Sequence, residues 1–271
     1  MPTKEEGKQW LRTVIAKHLP TGVSHYNGFV YAGGLVTNAF GGECDPQPQE
    51  GKVVDESAEW LLVKVATSSM FAIGKGLLEH VPEVGAVVRI TPYARRRFDG
   101  TRLDVPAKKD AIAGTVTNVF VICEARSELP VDKGSIRCPF LRDLVEQVEE
   151  RVAPDGIRTI AQVLIDAGAV NLPVGMRDPS EEDEILAPPT LQFRINNTRF
   201  KGFLNIVLDR ATDSFTVQLA EHDTWSVVKE ERHVYFSSLA AVIVGLVDDG
   251  KWRFAKVDVL KSAPRRTKAA A

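Results

Sequence analysis

Three consecutive arginines, Arg95, Arg96 and Arg97, stand between Tyr93 and Phe98 in the stretch GAVVRITPYARRRFDGTRLDV, with Arg89 and Arg102 on either side. Guanidinium groups offer fixed forks of donors to phosphate oxygens, and their planes stack on bases. Aromatic rings on an exposed sheet give bases a stacking surface worth ~1–3 kcal/mol each. If residues 85–98 form one strand, alternation points Arg89, Thr91, Tyr93, Arg95 and Arg97 to one side. Arg96 reaches that side only where a bulge turns it. Lys108 and Lys109 lie just beyond the Asp99–Gly100 turn, and Tyr26 extends the platform if its own strand packs alongside. Such a set predicts retention of a single-stranded polyanion without covalent change. The competing account is a hairpin whose solvated charges protect a sheet edge.

Other chemistry-bearing residues carry less. Arg194, Arg199, Lys201, Lys251, Arg253 and Lys256 form a second basic set, which reads first as the polar side of a half-buried sheet. Trp225, Trp252 and Phe254 read as core. Gly74-Lys75-Gly76 lacks the serine or threonine of a phosphate loop. His25, His222 and His233 have no nucleophile motif beside them, which argues against hydrolysis. The acidic run Glu181–Glu184 reads as solvated, since nothing fixes its geometry as an ion site. Cys44, Cys123 and Cys138 match neither a zinc nor a disulfide framework, which points to a reducing compartment, and Cys123 and Cys138 read as small apolar residues.

The elements that must position these groups follow from periodicity. Residues 3–19 predict an amphipathic helix with Trp10, Leu11, Val14 and Ile15 on one face. Strands are expected around Gly33–Gly34, over 59–67, 85–98 and 101–105, and over 112–124. DPQPQEGKVVDES reads as a loop. This predicts a mostly-β domain over 1–130, with its N-terminal helix, as a small OB-like barrel or a sandwich. Residues 131–176 predict a helical hairpin broken at Pro154–Gly156 and closed by Gly168. An acidic linker follows over 177–189. Residues 190–262 predict a β-β-β-α-β domain, with LQFRI, RFKGFLNIVL and SFTVQLA as antiparallel strands, a helix from Leu239 and KWRFAKVDVL as the last strand. The basic tail 263–271 reads as disordered. The fold class is α+β.

Composition bounds the function. The 271 residues carry a net charge of −2. Residues 1–130 are neutral overall, 131–189 carry −6 and 190–271 carry +4. Polyanion binding must therefore be local. A run of ~20 apolar residues is absent, and the polar N-terminus is not a secretory signal, which predicts a cytoplasmic protein without a membrane partner. The expectation is a non-enzymatic protein, with no cofactor and no metal, that binds single-stranded DNA or RNA with weak sequence preference. The alternative is an interaction or scaffold subunit that meets a protein partner, or a copy of itself, through residues 131–262.

Overall fold

Strand Trp60–Ala66 opens with the run WLLV, apolar at every position, because both faces of its sheet are buried. Leu61 and Val63 enter one core with Phe71, Ile73, Val88 and Ile90, while Trp60 and Leu62 enter another with Leu11 and Ile15. In the computed structural model, residues 2–23, 25–105, 126–180 and 182–264 are described. Their elements are α1 (Lys4–Val14), β1 (Asn27–Tyr31), β2 (Val36–Thr37), β3 (Glu43–Cys44), β4 (Gln49–Glu56), β5 (Trp60–Ala66), β6 (Ser69–Gly74), β7 (Val87–Thr91), α2 (Pro139–Glu150), α3 (Ile160–Asp166), β8 (Gly175–Arg177), β9 (Thr190–Asn196), β10 (Lys201–Asp209), β11 (Ser214–Glu221), β12 (Val227–Val234), α4 (Leu239–Val247) and β13 (Lys256–Lys261). The class is α+β. The chain divides into two units: Met1–Thr37, Asp45–Tyr93 and Lys251–Ala271 form one, and Asn38–Cys44 with Ala94–Gly250 form the other.

The first unit is a six-stranded sheet in the order β1-β6-β5-β4-β7-β13, parallel only between β1 and β6. No closed barrel forms among the described residues, so the OB-like expectation is corrected to an open sheet. Three misread segments explain the difference. The loop expected at DPQPQEGKVVDES contains β4, whose Gly51 lets its backbone pass against Lys64 of β5. The stretch SMFAIG, to which periodicity assigned no strand, is β6. The last strand of the expected C-terminal domain, β13, pairs with β7, Val257 lying opposite Ile90.

Helix α1 begins with a reciprocal cap. The Glu6 amide donates to Thr3 Oγ1 at 3.3 Å, and the Thr3 amide donates to Glu6 Oε2 at 2.6 Å. Gly7 lies against the sheet, and a Cβ there would stand 2.5 Å from both Trp60 and Val30. Glycine to alanine inside a helix ordinarily stabilises by about 1 kcal/mol. Here overpacking, at about 1–3 kcal/mol, wins. Gly7→Ala is therefore expected to lower the thermal midpoint, and a raised midpoint would show that α1 does not sit this tightly.

The second unit sets α2, α3 and α4 on one face of the antiparallel sheet β12-β11-β10-β9-β8. Inward residues Leu204, Ile206, Val217 and Leu219 alternate with half-buried or exposed ones, as a sheet covered on one side requires. Gly168 closes α3 with φ +102° beside the backbone of Asn196. Arg158 is a fully buried side chain that meets Asp155, Asp166 and Asp248 at 3.0, 3.1 and 2.7 Å. Buried Glu149 accepts from the Leu129 amide at 2.8 Å and from Lys133 at 2.6 Å, fastening the chain before α2.

Candidate nucleic-acid interface

The strand expected over 85–98 stops at Thr91. Pro92 follows it, and a residue without an N–H cannot extend the ladder to β13. Arg89 is exposed on β7, where it donates to Glu50 at 2.8 Å and stands opposite Asp258 of β13. The Glu50 carboxylate offsets its charge, while Asp258 pairs with Lys256 at 2.9 Å. Tyr93 is half-buried and meets Trp252 edge-on, the ring centroids 4.8 Å apart.

Beyond Tyr93 the chain enters the second unit. Arg97 turns back on its own loop and donates to the carbonyls of Arg102, Leu103 and Val105 at 2.8, 3.1 and 2.9 Å. Arg102 pairs with Asp104 at 2.6 Å and bridges Arg96 through the backbone. Arg95 is half-buried, its carbonyl accepting from the Leu103 amide, and Arg96 is exposed. Much of the donor capacity expected for phosphate thus holds residues 95–105 together. Tyr26 is 38% exposed and packs beside Gly28. Lys108, Lys109, Cys123 and the strand expected over 112–124 lie outside the described residues.

A different aromatic group stands on the helix-free face of the second unit. Along β10, Leu204, Ile206 and Leu208 face the helices, so Phe203, Asn205 and Val207 face away. Phe203 lies flat against Trp225, with centroids 4.5 Å apart and planes 7° apart, and against His222 at 5.5 Å and 11°. Its partner across β11 is Ala220, a side chain small enough to leave room above the sheet. The turn Glu221–Ser226 holds the indole there. The Glu221 amide donates to the Ser226 carbonyl at 3.0 Å, and Thr224 Oγ1 donates to the Glu221 carboxylate at 2.7 Å. Trp225 is 58% exposed and has φ +59°, a left-handed conformation that a bulky side chain adopts only under strain.

Polar side chains run beside the rings. Gln192 donates to Asn205 at 2.8 Å, and Gln218, opposite Asn205, donates to Glu230 at 2.7 Å. Exposed Arg194 stands across β9 from Phe203, and exposed Lys201 precedes it by two on β10. Glu230 limits the positive field. Hydrogen bonds from Arg232 and then Gln218 hold its carboxyl below the usual range, so it stays ionised. Arg199 from the second basic set caps α4 instead, donating to the carbonyls of Gly245 and Asp248.

Sequence periodicity carried a signal for this face. RFKGFLNIVL puts a phenylalanine on the polar side of its strand, and the tryptophan of HDTW, expected in the core, stands 58% exposed at the tip of a hairpin. Among the described residues, no three His, Cys, Asp or Glu side chains converge as metal ligands. No helix among them is long and apolar enough to cross a membrane. No protein-family model matches the chain, and no curated protein or solved structure matches it.

Proposed function

We propose that the chain is a non-enzymatic, single-stranded nucleic-acid-binding protein whose main contact is the open face of β9–β12. The observation that carries this reading is the flat stack of Trp225, Phe203 and His222 on a sheet face that the helices leave bare. An exposed indole gives an unpaired base a surface of its own size. Amide side chains at its foot meet base edges, and Arg194 and Lys201 meet phosphates. A paired base is closed to such stacking, so a single strand binds better than a duplex. Sequence preference is weak because every base has a π-face. Arg96, exposed in the loop after β7, is left for peripheral backbone contact.

The test is a titration of labelled single-stranded and duplex oligonucleotides at two salt concentrations. Single strands are expected to bind more tightly, and affinity falls with salt. Replacing Arg194 and Lys201 by alanine lowers the log–log slope by ~0.7 for each phosphate that is no longer neutralised. Absent or salt-independent binding removes the reading. Docking of a protein partner is the second reading. It is favoured by exposed Val227, Val228, Tyr235 and Phe236, which lie on or just beyond edge strand β12. A concentration-dependent dimer in light scattering, with no affinity for oligonucleotides, supports that reading instead.

A further inference from the structure

The second unit contains a cavity of about 630 Å³ lined by the first turn of α2, by Pro179, Ser180, Glu182, Glu184 and Ile185, and by Arg210 just after β10. That volume suits one small organic ligand. Glu184 lines it, and its side chain is 7% exposed, against the expectation of a solvated acidic run. Among the described residues two groups engage its carboxylate. The Cys138 thiol lies 3.4 Å from Oε1, and Arg210 Nε lies 3.4 Å from Oε2. A thiol is a weak donor, and 3.4 Å is long for an N–H···O bond. A carboxylate accepts about four hydrogen bonds, so these two oxygens keep capacity for further donors. Burial, with Glu184 adding to it, pushes the Cys138 thiol above its ordinary range despite the opposing N–H groups of Leu141 and Phe140, so the thiol remains a donor.

The charges select which further donor the site would take. Arg210 already balances Glu184, so an ammonium ligand would crowd a second positive charge against the guanidinium. A neutral N–H donor carries no such cost. The Arg210 guanidinium also lies over the Phe140 ring, 3.1 Å from its centroid, and such planes stack on flat heterocycles. Arg137, whose side chain is 76% exposed and lies 3.6 Å from the Asp178 carboxylate, stands among the lining residues and is the cation there that an anionic tail could share.

From the Glu184 carboxylate, which keeps capacity for donors, and the flat Arg210 beside it, we infer that this cavity binds a planar, neutral heterocycle with two adjacent N–H donors, the ring N–H and 2-amino group of the aminooxopyrimidine ring shared by guanine nucleotides and pterins. The paired N–H groups donate to the two oxygens of Glu184, and the ring lies on Arg210. A nucleotide phosphate reaches Arg137, whereas a simple pterin does not.

Calorimetric titration of the full chain with GMP, IMP, AMP and an unsubstituted pterin tests this. GMP is expected to bind roughly 10–100-fold more tightly than IMP, which lacks the 2-amino group, and AMP not to bind measurably. Arg137→Ala weakens GMP and leaves the pterin unchanged if the nucleotide is the better ligand, while a pterin that outbinds GMP identifies the other source. Glu184→Gln removes the GMP/IMP difference. Should that variant unfold, the wild-type ratio alone decides. Equal affinity for GMP, IMP and AMP, or no binding of either GMP or the pterin at millimolar concentration, overturns the inference. Trp225→Ala leaves GMP binding unchanged, which separates this cavity from the proposed strand-binding face.

Discussion

Replacing Arg158 by alanine is expected to destabilise the second unit by about 3–5 kcal/mol and to lower its melting temperature by roughly 10 °C. The side chain has no solvent exposure and touches three carboxylates from three places: Asp155 in the turn before α3, Asp166 at the end of α3 and Asp248 just after α4. Two of those carboxylates sit where helix dipoles are negative, which is unfavourable without a cation. Burial works against the guanidinium charge. The hydrogen bond to Asp248 and the attraction of Asp166, Asp248 and Asp155 more than offset it, and its pKa rises. Removal takes the buried cation away from three carboxylates that keep their negative charge, whereas removing charge on both sides is far less harmful. Arg158→Met with Asp166→Asn and Asp248→Asn should therefore recover much of the stability. Asp155 stays because it also accepts the Ile157 and Arg158 amides at 2.9 Å. Lysine is a poor substitute, since one ammonium cannot present a planar fork to three partners. Thermal denaturation followed by circular dichroism reads the effect. An Arg158→Ala variant melting within about 2 °C of the parent would refute the account, because three carboxylates that lose their buried counter-charge cannot be that cheap.

The sequence made periodic elements legible and left long-range pairing hidden. α1, α4 and the strands β9, β10 and β11 stand where apolar spacing places them, because each buries one face and exposes the other. β4 does not announce itself. Its residues QEGKVVDE mix charges with a glycine required by close backbone approach, and that pattern resembles a loop. β13 carries a strand pattern, but nothing local in KVDVLK says that its partner is β7, well over a hundred residues earlier. The arginine stretch failed in a similar way. Alternation gives a side for each residue only while the strand lasts, and Pro92 ends it. Nor does residue type tell a phosphate ligand from a loop clamp, which is the role Arg97 takes. Arg158 stood in no motif, since its three carboxylates converge only through tertiary packing. The Phe203 and Trp225 face lay between these extremes. The misplaced aromatic was visible, but its stacking depends on where the hairpin folds.

Replacing Trp225 by glycine should separate binding from stability. On the proposed reading the indole supplies ~1–3 kcal/mol of base stacking, so affinity for a single strand should fall about 5–150-fold. Stability should hold or rise. Trp225 is more than half exposed, and exposed substitutions usually stay within about 0.5 kcal/mol. Its backbone at φ +59° is one that glycine adopts without strain. The two effects oppose each other. Removing the stack on Phe203 costs about 0.5–1.5 kcal/mol, and relieving the left-handed tryptophan returns about 1–3 kcal/mol. A residue that serves only packing would show the reverse, with the fold weakened and binding intact. Trp225→Phe keeps an aromatic face and should retain most of the affinity, while Phe203→Ala should weaken binding by undercutting the indole. Fluorescence adds a direct readout, because quenching on oligonucleotide addition should vanish in Trp225→Gly if Trp10, Trp60 and Trp252 take no part. An unchanged oligonucleotide affinity in Trp225→Gly, with the parent binding, would exclude the ring stack as the contact surface and return attention to Arg96 and its loop.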